Sequence, residues 1–148
     1  MNNPNEATPD ELFHKVLILF RYLRQQARQM DSQGIKPRQF AVLRLLLEGG
    51  PAPVGAVQEH IYLSPSTTST LIAQLEEAGY VTRTRSLEDN RVVIVELTPA
   101  GRDIAQNTPL AGLPLLRRRL RTLPQDRLAL IEAALVDIME LMEVTDTE

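Results

Sequence analysis

Leu63-Ser64-Pro65-Ser66-Thr67-Thr68-Ser69-Thr70-Leu71-Ile72-Ala73-Gln74-Leu75-Glu76-Glu77-Ala78-Gly79 is the stretch whose reading decides the fold. Ser64 followed by Pro65 marks a helix start, a side-chain cap and then a residue whose missing amide costs nothing in the first turn. Gly79 supplies the stop. At about 100° per residue, Thr68, Leu71, Ile72 and Leu75 share one side of this helix, and Ser66, Thr67, Thr70, Ala73 and Gln74 share the other. The solvent side of an ordinary amphipathic helix carries Lys and Glu. This one offers small hydroxyls, an alanine and an amide, groups able to lie against base edges in a DNA major groove.

Working outward, Val54 to Ile61 reads as a short helix joined to this one by a tight turn. On the other side, Tyr80 to Arg85 and Val92 to Leu97 are β-branched or alternating runs around the polar segment Ser86 to Arg91, a hairpin with a charged tip. Helix, turn, helix and hairpin in that order make a winged helix-turn-helix, whose second helix enters the major groove by its N-terminal residues. That geometry makes Ser66, Thr67, Thr70 and Gln74 candidate base-edge or phosphate readers, with Gln able to pair twice with adenine. Ser64 and the free amides beside it suit a phosphate. Arg91 at the wing tip is placed for a neighbouring minor groove. Asp89 is expected to brace a hairpin arginine. Lys36, Arg38 and Arg83 complete the candidate DNA-contact set.

The flanks read as helices. Thr8-Pro9-Asp10-Glu11 is a cap, a first-turn proline and two acids at the positive end of a helix dipole. Leu12, Phe13, Val16, Leu17, Phe20, Leu23 and Ala27 then repeat at three and four. Pro37 opens another helix, which Gly49-Gly50-Pro51 stops, and Thr98-Pro99 restarts helix after the hairpin. Pro109 and Pro114 are expected to interrupt the run from Ala100 to Leu123, with Thr108-Pro109 as a fresh cap. From about Pro124 to Met142, Leu128, Ile131, Leu135, Ile138 and Met142 form a heptad seam suited to a bundle or a second copy. The fold class is mainly α with a small β-hairpin wing. Residues 1–8 are expected to be a disordered tail, 9–35 and 103–148 a helical dimerisation region, and 36–102 the winged helix-turn-helix domain.

Bulk properties bound the function. One hundred and forty-eight residues with 43% apolar and 24% charged content make an ordinary globular chain. No apolar run reaches the roughly 18 residues a membrane span needs, and no secretory signal opens the chain, so it reads as cytoplasmic and without membrane contact. Without cysteine there is no disulfide, thiolate metal site or thiol switch. His14 and His60 lie far apart with no partner at metal spacing, and no phosphate loop or nucleophile elbow is present. No metal, cofactor or enzymatic activity is expected. Arg117-Arg118-Arg119 with Arg121 reads as a solvated or ion-paired helix face. Charge supplies the counter-argument to nucleic acid. The net charge is −3, and Lys36 to Arg102 carries seven basic and seven acidic residues. A winged module used for protein contacts, without DNA, is the alternative.

Gly50 to Gly101 resembles the MarR-type (multiple-antibiotic-resistance regulator) transcriptional regulators without a gap. The match rests on Leu63-Ser64-Pro65-Ser66-Thr67, Leu71-Ile72, Leu75-Glu76, Gly79-Tyr80-Val81, Arg83, the wing Glu88-Asp89-Asn90-Arg91 and Leu97-Thr98-Pro99-Ala100-Gly101. The resemblance implies a homodimer held by its first and last helices, reading a pseudo-palindromic double-stranded operator. It also implies a repressor relieved by a small aromatic or anionic effector between the winged domain and the dimer helices. Four positions depart from the family pattern: Tyr62 for a turn glycine, Thr68 for an aliphatic, and Thr70 and Asn90 for arginines. The two lost charges imply a shallower salt dependence than a typical member shows.

Overall fold

The computed structural model describes residues 7–145, so residues 1 to 6 of the expected tail and 146 to 148 of the expected dimerisation region lie outside the described residues. Thr8 caps the first helix with a capping box: its hydroxyl accepts from the Glu11 amide and the Glu11 carboxylate accepts from the Thr8 amide. In chain order come α1 (Pro9–Ser32), α2 (Pro37–Gly49), β1 (Ala52–Pro53), α3 (Val54–Ile61), α4 (Pro65–Glu77), β2 (Val81–Arg85), β3 (Val93–Leu97), α5 (Pro99–Asn107), α6 (Gly112–Leu120) and α7 (Gln125–Leu141).

The hairpin expected from sequence is part of a three-stranded antiparallel sheet of order β1-β3-β2. Val81 pairs with Leu97 and Arg85 with Val93, while Ala52 and Pro53 add a two-residue edge opposite Val95 and Ile94. A proline is tolerated there because an edge strand has one row of amides without ladder partners.

The core is built almost wholly from the middle of the chain. Phe40, Val42, Leu43 and Leu46 of α2 meet Val57 of α3, Leu71, Ile72 and Leu75 of α4, Val81 and Val95 of the sheet, and Ala105 of α5. Each large apolar side chain buried in this way contributes about 1.5–3 kcal/mol. Met30 and Ile35 extend the core to the end of α1 and the loop after it. By contrast, α6 and α7 bury no residue and α1 buries only Met30, leaving Phe13, Leu19, Phe20, Leu130 and Leu135 exposed.

Two expectations about the C-terminal third are corrected. Thr108-Pro109 does not start a helix; Thr108 closes α5, and α6 begins at Gly112 behind an extended Ala111. Pro114 does not break α6 either. It falls in the first turn, where the backbone amide has no intrahelical acceptor to lose. A single break at 108–111 therefore replaces the two that were expected.

Among the described residues Thr68 is the one buried polar side chain, fully inaccessible, with its hydroxyl unpartnered. A buried hydroxyl without a partner costs about 1–3 kcal/mol. Thr68→Val is accordingly expected to raise the thermal midpoint by a few degrees, roughly 2–4 °C per kcal/mol at this size. A midpoint equal to or below that of the parent in a circular-dichroism melt would contradict this packing.

Candidate nucleic-acid interface

The helical period of residues 65–77 sorts side chains as the sequence implies. Thr68, Leu71, Ile72 and Leu75 are buried, and Ser66, Thr67, Thr70, Ala73 and Gln74 are exposed. The start of α4 is a chain of hydroxyls. Ser64 Oγ accepts from the Thr67 amide at 3.3 Å and lies 2.8 Å from Thr67 Oγ1 and 3.3 Å from Ser66 Oγ. One turn on, Thr70 Oγ1 donates to the Ser66 carbonyl at 3.0 Å, which leaves its lone pairs outward. The Gln74 side chain has no protein partner among the described residues, so its amide is free to donate and accept.

The turn between α3 and α4 is closed by Tyr62 in the left-handed region, φ 52° and ψ 47°, where the family pattern has glycine. A side chain there costs about 1–2 kcal/mol. Gly79 ends α4 with φ 79°, turning the chain into β2.

Hydrogen bonds fix the wing tip. Asp89 Oδ1 accepts from the Arg91 amide at 3.0 Å and from Arg91 Nε at 3.3 Å, so Asp89 braces Arg91. Ser86 Oγ accepts from the Glu88 and Asp89 amides, and Arg85 donates to the Asn90 carbonyl at 2.8 Å. Arg91 nevertheless keeps 93% of its side chain exposed. Arg83 is paired across elements, its guanidinium donating to Glu76 Oε2 from Nε at 2.6 Å. Half-exposed pairs of this kind contribute about 0–1 kcal/mol, so Arg83 can exchange Glu76 for another anion at small cost.

Local placement answers the objection from net charge. Two clefts flank α4. The first, about 590 Å³, lies among α1, α2 and α4, and brings Arg28, Lys36 and Arg38 to the edge of Thr67, Thr70 and Gln74. The second, about 480 Å³, lies between α4 and the sheet and brings Arg83 and Arg91 beside Ser69. Basic groups thus stand on both sides of the polar helix face, while Asp31 is the single acid lining either cleft. The candidate residues Lys36, Arg38, Thr67, Thr70, Gln74, Arg83 and Arg91 line these two clefts. Ser64 and Asp89 hold the scaffold beneath them. Arg28 escaped the sequence reading because nothing in α1 alone shows that its last turns approach α4.

The expectation of a solvated or ion-paired face holds for Arg118 and Arg119, which are exposed, and for Arg121, which pairs with Glu48 at 3.9 Å; it is corrected at Arg117. Arg117 turns inward and donates to the His60 carbonyl at the end of α3, at 2.6 Å, with its guanidinium 5.9 Å from the Tyr62 ring. Burial, and then the Arg117 and Arg121 guanidiniums, hold the His60 imidazole below its ordinary pKa, against a weaker opposite pull from Glu48. Among the described residues no cluster of acids and histidines could hold a metal, and no helix is long and apolar enough to cross a membrane.

A helix-turn-helix with its polar face outward, a three-stranded wing and flanking basic clefts define a winged helix-turn-helix protein of the DNA-binding class. Residues 35–93 match the MarR family model. The chain is 30% identical to the uncharacterized HTH-type transcriptional regulator YsmB of Bacillus subtilis, over 82% of this chain and 84% of that one. It is 32% identical to the HTH-type transcriptional repressor MdtR of the same organism, over 61% and 57%. The fold is that of the S. aureus MepR-DNA complex, with a TM-score of 0.62 over 93% of this chain and 99% of that one, at 17% identity. The chain belongs to the MarR family of transcriptional regulators.

Proposed function

We propose that this protein is a cytoplasmic, homodimeric repressor that binds a pseudo-palindromic operator and is released by a small effector. The observation that carries the DNA-reading part is the outward face Ser66, Thr67, Thr70 and Gln74 flanked by two basic clefts. MdtR is a repressor and MepR has been seen bound to DNA, which favours the same role here. On this reading residues 36–102 contact DNA, while 9–35 and 103–148 join two copies.

Exposed area supports the dimer. The single chain presents 11260 Å² to solvent, against about 7,600 Å² for a folded monomer of 16.6 kDa. Apolar side chains stand uncovered along α1, α6 and α7, among them Phe13, Leu19, Leu113, Leu130 and Leu141. A two-fold dimer would set two copies of α4 about one DNA turn apart, near 34–36 Å.

Within each half-site Arg91 and Gln74 have different roles, and that difference is the test. Arg91→Ala is expected to weaken binding to all sequences alike and to lower the slope of log K against log salt by about 1 per site. Gln74→Ala is expected to cost about 1–3 kcal/mol on the preferred operator and little on other DNA. Fluorescence anisotropy with the chain's own upstream DNA, at several salt concentrations, measures both. If the parent shows no salt-sensitive binding, the winged module is a protein-contact device instead.

A further inference from the structure

Leu87, at the tip of the wing, is fully exposed. Among the described residues the other exposed large apolar side chains lie on α1, α6 and α7 or just after α7, apart from Tyr62, which the Arg117 guanidinium faces. A second copy laid on those helices accounts for them and leaves Leu87 unexplained.

A lone exposed leucine on a loose loop would mean little. This tip is held by hydrogen bonds. The Ser86 amide donates to the Val92 carbonyl at 2.8 Å, and the Val92 amide donates to the Asp89 carbonyl at 2.9 Å. Ser86 Oγ accepts from the Glu88 and Asp89 amides at 3.2 and 3.4 Å, which wraps the backbone around residue 87 and leaves its side chain outward. Leu87 and Arg91 therefore flank the Ser86–Val92 pair at one fixed tip, both exposed.

Charge at that tip cancels, Arg85 and Arg91 being matched by Glu88 and Asp89. The tip as a whole thus gains little from releasing counterions. What it offers beyond the Arg91 guanidinium is the apolar body of Leu87. Leucine is among the side chains that minor grooves accept. The floor of that groove tells G·C from A·T by the guanine 2-amino group, which projects into it. An apolar side chain pressed there takes water from the amino group and returns no hydrogen bond, a cost that A·T pairs do not incur.

We propose that Leu87 is a specificity-determining residue, entering the minor groove beside Arg91 at the flank of each half-site and selecting against guanine there. This rests on the DNA-binding reading above and adds a preference that the α4 face does not supply. Arg91 provides attraction and Leu87 provides exclusion.

The test is fluorescence anisotropy of the full-length protein with its own upstream duplex, each flanking base pair made in turn A·T, G·C or inosine·C. Inosine lacks the 2-amino group and otherwise presents the edges of guanine. At one position in each flank, G·C is expected to weaken binding about fivefold or more relative to A·T, and inosine·C to restore it. Leu87→Ala is expected to lose that discrimination and to bind several-fold more weakly with an unchanged salt slope, whereas Leu87→Met retains it. Both variants should melt with the parent, since residue 87 lies outside the core. Equal binding of G·C and inosine·C duplexes by the parent, or discrimination that survives in Leu87→Ala, overturns the role of Leu87 and leaves the DNA-binding reading standing. A parent without salt-sensitive binding to any of these duplexes overturns both. A Leu87→Ala protein that sediments differently from the parent would place the residue between copies instead and overturn the proposal.

Discussion

Gly101→Ala is expected to destabilise the protein by about 3 kcal/mol, lowering the thermal midpoint by roughly 10 °C. A methyl group at Gly101 would lie inside the contact radius of the Tyr80 carbonyl oxygen and 2.8 Å from the Tyr80 carbonyl carbon. The obstacle is backbone, so no rotamer change relieves it. Nor can the two segments part cheaply. Thr98 donates its amide to the Tyr80 carbonyl at 3.0 Å and its hydroxyl to the Gly79 carbonyl at 2.6 Å, and its hydroxyl also caps α5 by accepting from Gly101 N. Leu97-Thr98-Pro99-Ala100-Gly101 is thus a clasp that fixes α5 to the end of α4. Gly55→Ala is the control: nothing lies within 4 Å of its Cβ position, and the change is expected to be neutral or slightly stabilising. A melt in which Gly101→Ala stays within about 2 °C of the parent would show that no such clasp operates.

The second large effect concerns the uncovered helices. Phe20→Glu combined with Leu135→Glu places charge on the exposed apolar faces of α1 and α7. Neither residue belongs to the buried core, so each winged unit is expected to stay folded. The pair of substitutions is expected to yield a monomer by sedimentation and to reduce operator affinity by at least about a hundredfold, because linked binding to two half-sites is lost. A variant that sediments as the parent does, or a parent that is itself monomeric, would defeat the dimeric reading.

How far the fold was legible depends on the range of the signal. The helix at 65–77 was plain because the spacing of Thr68, Leu71, Ile72 and Leu75 and the Ser64-Pro65 start agree, and the buried face is the one they define. That Asp89 braces a hairpin arginine was legible from sequence, but which arginine was not; it is Arg91, two residues on. Contacts between distant segments were not legible. The two-residue strand at 52–53 carries no pattern of its own, and only its pairing with β3 makes it a strand. Arg83 and Glu76 look like opposite charges on separate elements until Gly79 turns the chain and brings them together. Pro109 and Pro114 look alike in sequence, yet one lies beyond a helix end and the other sits in a first turn.

The same limit explains the charge puzzle at the candidate interface. A sum over residues 36–102 is neutral, which speaks against DNA. The sum ignores that Arg28 comes from outside that segment. It also ignores that Lys36, Arg38 and Arg91 face the two clefts beside α4. Recognition depends on the charge near the groove, within a screening length of about 8–10 Å, more than on the total.

Contact between the 66–74 face and base pairs is the claim on which the proposed regulator stands. Backbone-amide chemical shifts of ¹⁵N-labelled full-length protein, followed while its own upstream duplex is added, test it most directly. The largest changes are expected at Ser66 to Gln74 and at the wing tip around Arg91, with α6 little affected. Perturbation confined to α6 and α7, with the reading helix silent, would contradict it.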